Sequence, residues 1–324
     1  MRRCIVLLLV LAVATSVVFA GGQGESEAAA QAESEANDEL HVFVSIQPQK
    51  YFVERIAGEE AEVAVMVPPG KEPHSYEPTP RQVAALSEAD VYFRIGVPFE
   101  EAFLPRIERS LEELPVVDIS GKIDKRRLDT RDHGQEDHGE AEHDREEGHD
   151  REEEHDHREE GALDPHVWLG PLEVKAMAAE IRDTLITLRP DKAATYRKNY
   201  AAFAADIDEL HVRLRDQLAP YEGQTMFVFH PSFGYFADTY GLDQEAVEIG
   251  GSEPSPAQLE RIIEEAQAEG VRVIFVQPQF SRDSAERVSR AIDGAVVPIN
   301  PLAEQWLSNM QTIADRIQEG LGHE

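Results

Sequence analysis

The sequence predicts a two-lobed α/β protein, each lobe a parallel sheet flanked by helices, the lobes joined by one long rigid helix. Three observations carry that expectation. Short β-branched runs alternate with amphipathic helical stretches from His41 to Ile119. The same alternation restarts at Thr225 and runs to about residue 319. Between them, Asp191 to Leu218 keeps helical periodicity with no Gly or Pro. Strand–helix alternation of this kind gives parallel pairing with helices over both faces.

In the first lobe, His41 to Ile46 reads as a strand, 49–57 as a helix and Ala61 to Val67 as a strand. A Pro/Gly-rich loop follows, then helix 79–87, strand Val91 to Ile95, helix 100–112 and strand Val116 to Ile119. In the second lobe, strand Thr225 to Phe229 leads into helix 232–240, strand 245–249, helix 256–269 and strand Val273 to Val276. Helix 281–292, strand 295–299 and helix 303–319 complete it. In the connecting segment, Tyr196, Tyr200, Phe203, Ile207, Leu210 and Leu214 recur at spacings of three or four, marking one apolar stripe. About 28 residues at about 1.5 Å rise make a rod of roughly 42 Å. Such a rod restricts lobe motion; the competing reading is an ordinary surface helix of the first lobe.

The N-terminus reads as an export signal. Arg2 and Arg3 precede an apolar run from Ile5 to Val18, followed by Phe19 and Ala20. A basic head, a short hydrophobic stretch and small residues at a cleavage point are the marks of such a signal. The run is shorter than the roughly 20 residues of a membrane anchor. Cleavage is expected after Ala20, which removes Cys4, the one cysteine. Residues 21–39 hold six acids and no base, and read as a disordered tether. The first lobe then spans 40–190, the linking helix 191–219 and the second lobe 220–324.

An insert at 132–160 interrupts the first lobe. It carries 15 acids, three Arg and six His (His133, His138, His143, His149, His155 and His157), with no Val, Ile, Leu or aromatic residue. Such a segment cannot fold alone. Mobile imidazoles beside carboxylates can capture a divalent cation weakly, and the acids raise its local concentration. The plainer reading is a solvated acidic loop.

The whole chain of 324 residues has 31 Lys+Arg against 63 Asp+Glu, a formal net charge of −32. That argues against nucleic acid or anionic lipid as the main partner, since both need a basic surface. A single cysteine excludes a disulfide framework and a Cys-based zinc finger. Outside the insert, three histidines sit beside prolines: Pro73-His74, Pro165-His166 and His230-Pro231. Proline restricts the backbone next to each ring. His74 and His230 follow predicted strands, and open parallel sheets bind ligands at strand carboxyl ends. The three positions match no compact zinc motif by spacing.

The stretch Val67-Pro68-Pro69-Gly70-Lys71-Glu72-Pro73-His74-Ser75-Tyr76-Glu77-Pro78 resembles the first ligand loop of metal-specific ABC-transporter solute-binding proteins. Asp164-Pro165-His166-Val167-Trp168-Leu169 is similar to their second, and Phe229-His230-Pro231-Ser232-Phe233-Gly234-Tyr235-Phe236 to their third. Val276-Gln277-Pro278-Gln279-Phe280-Ser281 and Asn300-Pro301-Leu302-Ala303 resemble two further blocks. The likeness runs from about His41 to the end, and the His-rich insert sits where the zinc-uptake, ZnuA-type branch carries one. The resemblance implies one Zn²⁺ held tightly between the lobes by His74, His166 and His230, with weaker binding in the insert. It also implies a protein working in the periplasm and handing its metal to an ABC permease in the cytoplasmic membrane; a monomer is expected. Asn300 stands where many relatives place an Asp ligand. A neutral amide is a weak donor, so either Asn300 or water is the fourth ligand. Three imidazoles suit Zn²⁺, whereas Mn²⁺ favours carboxylate oxygens.

Other functions stay open at this stage. Three His with a free position also describe catalytic zinc, although no His-Glu-x-x-His or Gly-x-Ser-x-Gly motif is present. A zinc buffer or adhesin built around the insert is a third reading, and manganese or iron uptake a fourth.

Overall fold

A computed structural model of the chain describes residues 39–107, 111–128, 162–248, 255–268, 270–280 and 282–322. The expected export signal, the tether except Glu39, and the insert with its six histidines lie outside these residues.

The first sheet is built from β1 (Leu40–Val44), β2 (Ala61–Val65), β3 (Val91–Arg94) and β4 (Val116–Asp118), in the order β2-β1-β3-β4. All its pairs are parallel, Val44 lying beside both Val65 and Phe93. Helix α1 (Gln47–Ala57) buries Phe52, Val53, Ile56 and Ala57, and stops at Gly58, whose φ of 64° a side chain would resist. Burial of Phe52, Val53 and Ile56 contributes about 1.5–3 kcal/mol each. Helix α2 (Pro80–Leu86) starts on a capping box in which the Thr79 hydroxyl accepts from Gln82 N at 3.4 Å. Helix α3 (Pro98–Ile107) begins earlier than expected because Pro98 suits the first helical turn.

Helix α4 (Pro171–Leu188) is an addition to the sequence reading. Its 18 residues bury Val174, Met177, Ala178, Ile181 and Leu185. Helix α5 (Ala193–Leu218) follows after a 3-10 turn at Pro190–Lys192 and runs for 26 residues. It buries the expected stripe through Tyr196, Phe203, Ile207, Leu210 and Leu214, while Tyr200 is half-buried. One face of α5 packs on α1 and α4 of the first lobe and also on α9 (Trp306–Leu321) of the second. It therefore bridges the lobes rather than decorating one of them.

The second sheet, β5 (Thr225–Val228), β6 (Asp243–Ala246), β7 (Val273–Val276) and β8 (Ala295–Pro298), has the order β6-β5-β7-β8, again all parallel. Helices α6 (Gly234–Tyr240), α7 (Pro256–Ala268) and α8 (Arg282–Ala291) connect its strands. The strand expected at 245–249 starts two residues sooner. Gly241, left-handed with φ 69°, ends α6, and Asp243 then pairs with Thr225. The two sheets repeat one topology, and the predicted two-lobed fold is the observed one.

Candidate metal centre

In each sheet the chain crosses to one side and then to the other, so a crevice opens at the carboxyl ends of the central strands. His230 leaves β5 at that point in the second sheet. Its N–H donates to Gln277 Oε1 at 3.1 Å, and Gln277 Nε2 returns a bond to His230 O at 2.7 Å. Gln277 follows β7 directly and is fully buried. Ligand loop and neighbouring strand are thereby held together.

His74 sits on the loop between β2 and α2. Gln82 frames that loop: its Nε2 donates to Met66 O at 2.6 Å, and its Oε1 accepts from Thr79 N at 2.9 Å and Tyr76 OH at 2.8 Å. His166 precedes a 3-10 turn, Val167–Leu169, whose Trp168 indole donates to Pro301 O of the second lobe at 2.8 Å. Trp306 Nε1 donates in turn to Trp168 O at 2.7 Å. The lobes are stitched beside the histidines.

The three rings meet. Each offers a nitrogen, and these atoms lie within 4.8 Å of one another. Among the described residues no other cluster of three or more His, Cys, Asp or Glu is placed to hold a metal. His166 Nε2 and His230 Nε2 are 3.2 Å apart. Tetrahedral zinc with bonds of about 2.0–2.1 Å spaces its ligand nitrogens by roughly 3.3 Å. His166 and His230 are buried, whereas the His74 side chain is 27% exposed.

Every ring turns its other nitrogen to a carboxylate. His74 Nδ1 bonds Glu72 Oε1, His166 Nδ1 bonds Asp164 Oδ1 at 2.7 Å, and His230 Nδ1 bonds Glu248 Oε2 at 2.8 Å. A carboxylate only accepts, so Nδ1 carries a proton, and in a neutral ring Nε2 then presents the lone pair. With both rings neutral, the two Nε2 lone pairs facing at 3.2 Å repel unless a cation lies between them. Glu72 also accepts from His74 N at 2.6 Å and Ser75 N at 2.8 Å. Burial opposes its charge, but these His74 and Ser75 contacts outweigh burial and hold the carboxyl at about 2. Burial likewise opposes the charge of Asp164, yet His166 and Arg126 keep its carboxyl below the ordinary range. Burial drives the His166 ring down to about 4 against the pull of Asp164, with His230 and His74 adding to the effect. The ring is neutral at physiological pH, the form that binds metal.

The pocket is small, about 20 Å³, which suits a single ion or water. Phe280 stacks on the His230 ring at 4.8 Å, and Trp168 meets the His166 ring edge-on at 5.2 Å. These aromatic walls lower the local polarity on two sides of the pocket and strengthen the electrostatics there. Asn300 lines an adjoining hollow of about 190 Å³ instead. Its Oδ1 accepts from Leu302 N at 3.0 Å and Gln279 Nε2 at 2.9 Å, leaving it a poor donor to a metal. Sequence reasoning missed Glu248, 18 residues beyond His230, and assigned no role to Glu72. Only the Glu72-x-His74 and Asp164-x-His166 spacing signals the pairing; nothing local marks Glu248.

Two parallel α/β lobes bridged by a helix, with imidazoles from both converging between them, define a metal-binding solute-binding protein. The family described as zinc-uptake complex component A, periplasmic (ZnuA) matches residues 42–320, and the chain belongs to it. The manganese-binding lipoprotein MntA of Halalkalibacterium halodurans is 30% identical over 241 residues, 73% of this chain and 70% of that protein. The high-affinity zinc uptake system protein ZnuA of Bacillus subtilis is 30% identical over 269 residues, 82% of this chain and 79% of that one. A crystal structure of ZnuA superposes with a TM-score of 0.76 at 34% identity, covering 87% of this chain and 99% of the other. Its family is one of transport components, and no helix of the described residues is long and apolar enough to cross a membrane.

Proposed function

We propose that the protein captures one Zn²⁺ per chain between its lobes, on His74, His166 and His230, and delivers it to an ABC permease in the cytoplasmic membrane. The observation that carries this reading is the pair of Nε2 atoms of His166 and His230 at 3.2 Å, in rings that each turn Nδ1 to a carboxylate. Three carboxylates behind three imidazoles also leave the pocket with surplus negative charge, which favours a divalent cation. Water completes the coordination in this reading, since the Asn300 oxygen is occupied by two hydrogen bonds. The similarity to a manganese-binding lipoprotein raises Mn²⁺ as a rival cargo. The donor set favours zinc: three imidazoles point inward, and the carboxylates that manganese would favour are bonded to their outer nitrogens.

The site serves binding and release rather than hydrolysis. The insert at 132–160 adds weak capture that is not required for the tight site, and the protein acts as a periplasmic monomer. Isothermal titration with Zn²⁺ tests the assignment. The intact protein should show one tight event, lost in His230→Ala and kept when residues 132–160 are deleted. Tight binding unchanged by His230→Ala contradicts the site, and ester hydrolysis abolished by His166→Ala revives the enzyme reading. Metal content after purification without added metal decides between zinc and manganese.

A further inference from the structure

A guanidinium lies directly behind the His166 side of the site. Arg126 belongs to a short antiparallel rung at the base of the insert, where Arg127 bridges Leu163 and Asp164 N donates to Arg126 O at 2.9 Å. Its side chain is 16% exposed and reaches two carboxylates at once. Nη1 donates to Asp164 Oδ2 at 3.1 Å, while Nε donates to Asp238 Oδ2 at 2.8 Å. The other oxygen of Asp164 holds the His166 ring. Asp238 is on α6, the helix that follows the His230 loop. Tyr235, also on α6, closes the same junction: its hydroxyl accepts from Arg126 N and donates to Asp164 O, both at 3.2 Å.

The seat of this guanidinium is a missing side chain. A Cβ on Gly234, the first residue of α6, would lie 1.7 Å from Arg126 Nη1 and 2.8 Å from Asp164 Oδ2. Gly234 has no positive φ, so space rather than backbone conformation calls for glycine there. The closest atoms are the far end of a flexible side chain, so an added methyl displaces the guanidinium first, while also pressing on the Asp164 carboxylate.

We propose that Arg126 is a positioning residue for metal capture, tying the His166 half of the site to the His230 half by spanning Asp164 and Asp238 across Gly234. The proposal rests on the reading that the three imidazoles hold the metal. A planar fork of five donors can bond two carboxylates in fixed directions; an ammonium cannot. Asp238 is 60% exposed, so its arm contributes little to folding itself. Asp164 is fully buried, and its aim sets the aim of His166. Loss of partners that orient ligands costs about 10–100-fold in metal affinity.

The test measures zinc affinity by chelator competition and the visible absorption of the Co²⁺ form, with the melting temperature of the metal-free protein alongside. The variants are Arg126→Ala, Gly234→Ala, their combination, and Arg126→Lys. Arg126→Ala and Gly234→Ala should each weaken zinc about tenfold and alter the Co²⁺ bands. The combination should be no weaker than the weaker single, because both changes remove one contact. Arg126→Lys should recover only part of the loss. Unchanged affinity and Co²⁺ bands in the singles, losses that add in full, or losses that merely follow the melting temperature would overturn the proposal. His166→Ala separates the two levels. If it abolishes tight binding while Arg126→Ala is silent, only the role of Arg126 fails; if it too is silent, the site assignment fails.

Discussion

His230 and Gln277 hold each other by reciprocal hydrogen bonds, backbone N–H to side-chain oxygen at 3.1 Å and side-chain nitrogen to backbone carbonyl at 2.7 Å. They stand at the ends of β5 and β7, the two strands between which the second crevice opens. Replacing Gln277 with Ala takes this partner from two buried backbone groups, each worth about 1–3 kcal/mol when left unpaired. Urea denaturation of the metal-free protein should show that loss, with weaker zinc binding beside it. An unchanged midpoint would mean that the clasp contributes nothing.

Glu248 fixes the tautomer of His230. Glu248→Ala should lower zinc affinity by about 10–100-fold. Glu248→Gln should lose less, because the amide oxygen still accepts from Nδ1–H. Chelator competition measures both. Equal losses in the two variants would argue that charge, not orientation, is what Glu248 supplies.

Acid should destabilise the metal-free protein in two windows. His166 is pushed by burial from an ordinary value of about 6.5 to about 4. Between those values the unfolded chain takes up a proton that the folded chain refuses, so stability falls as pH falls. Glu72 contributes lower down: burial works against its charge, but His74 holds it at about 2. The stability it supplies is complete above about 4.5 and disappears as pH drops toward 2. Melting temperatures from pH 7 to pH 4 should therefore decline less steeply in His166→Asn than in the unaltered protein. Parallel decline would count against the buried neutral ring.

Phe203 anchors the bridging helix. Its ring lies 5.9 Å from both Phe52 and Tyr51 and 4.8 Å beneath the Arg55 guanidinium. Phe203→Ala should cost about 3–5 kcal/mol of stability, measured by denaturant unfolding, while zinc affinity stays unchanged below the transition. A selective loss of affinity would show that the helix tunes the site as well as supporting it.

Much of the fold is legible in the sequence because parallel strands and amphipathic helices leave local periodicities. The run from Thr225 to Phe229 and the stripe from Tyr196 to Leu214 need no long-range information. The helix at Pro171–Leu188 was passed over even though Val174, Met177, Ile181 and Leu185 repeat at helical spacing; only a short turn parts it from the next helix. The start of β6 was displaced because Val247, Glu248 and Ile249 look like strand, while pairing with Thr225 recruits the polar Asp243. In the site, the histidines stand out through their prolines and their place after strands. Their orienting groups do not. Glu248 is one of 63 acidic residues, and it reaches His230 only because Glu248 N bonds Phe229 O at 2.8 Å beyond the strand pair. Gln277 is likewise placed by sheet topology, and Arg126 by an isolated pairing with residues 163–164, neither of which local pattern encodes.

X-ray absorption at the zinc edge, on protein loaded with one equivalent of Zn²⁺, tests the central claim most directly. Three imidazole nitrogens at about 2.0–2.1 Å, a shell that is lost in His230→Ala, is the predicted result. A carboxylate-dominated shell, or one that is the same in His230→Ala, would contradict capture of the ion between the lobes.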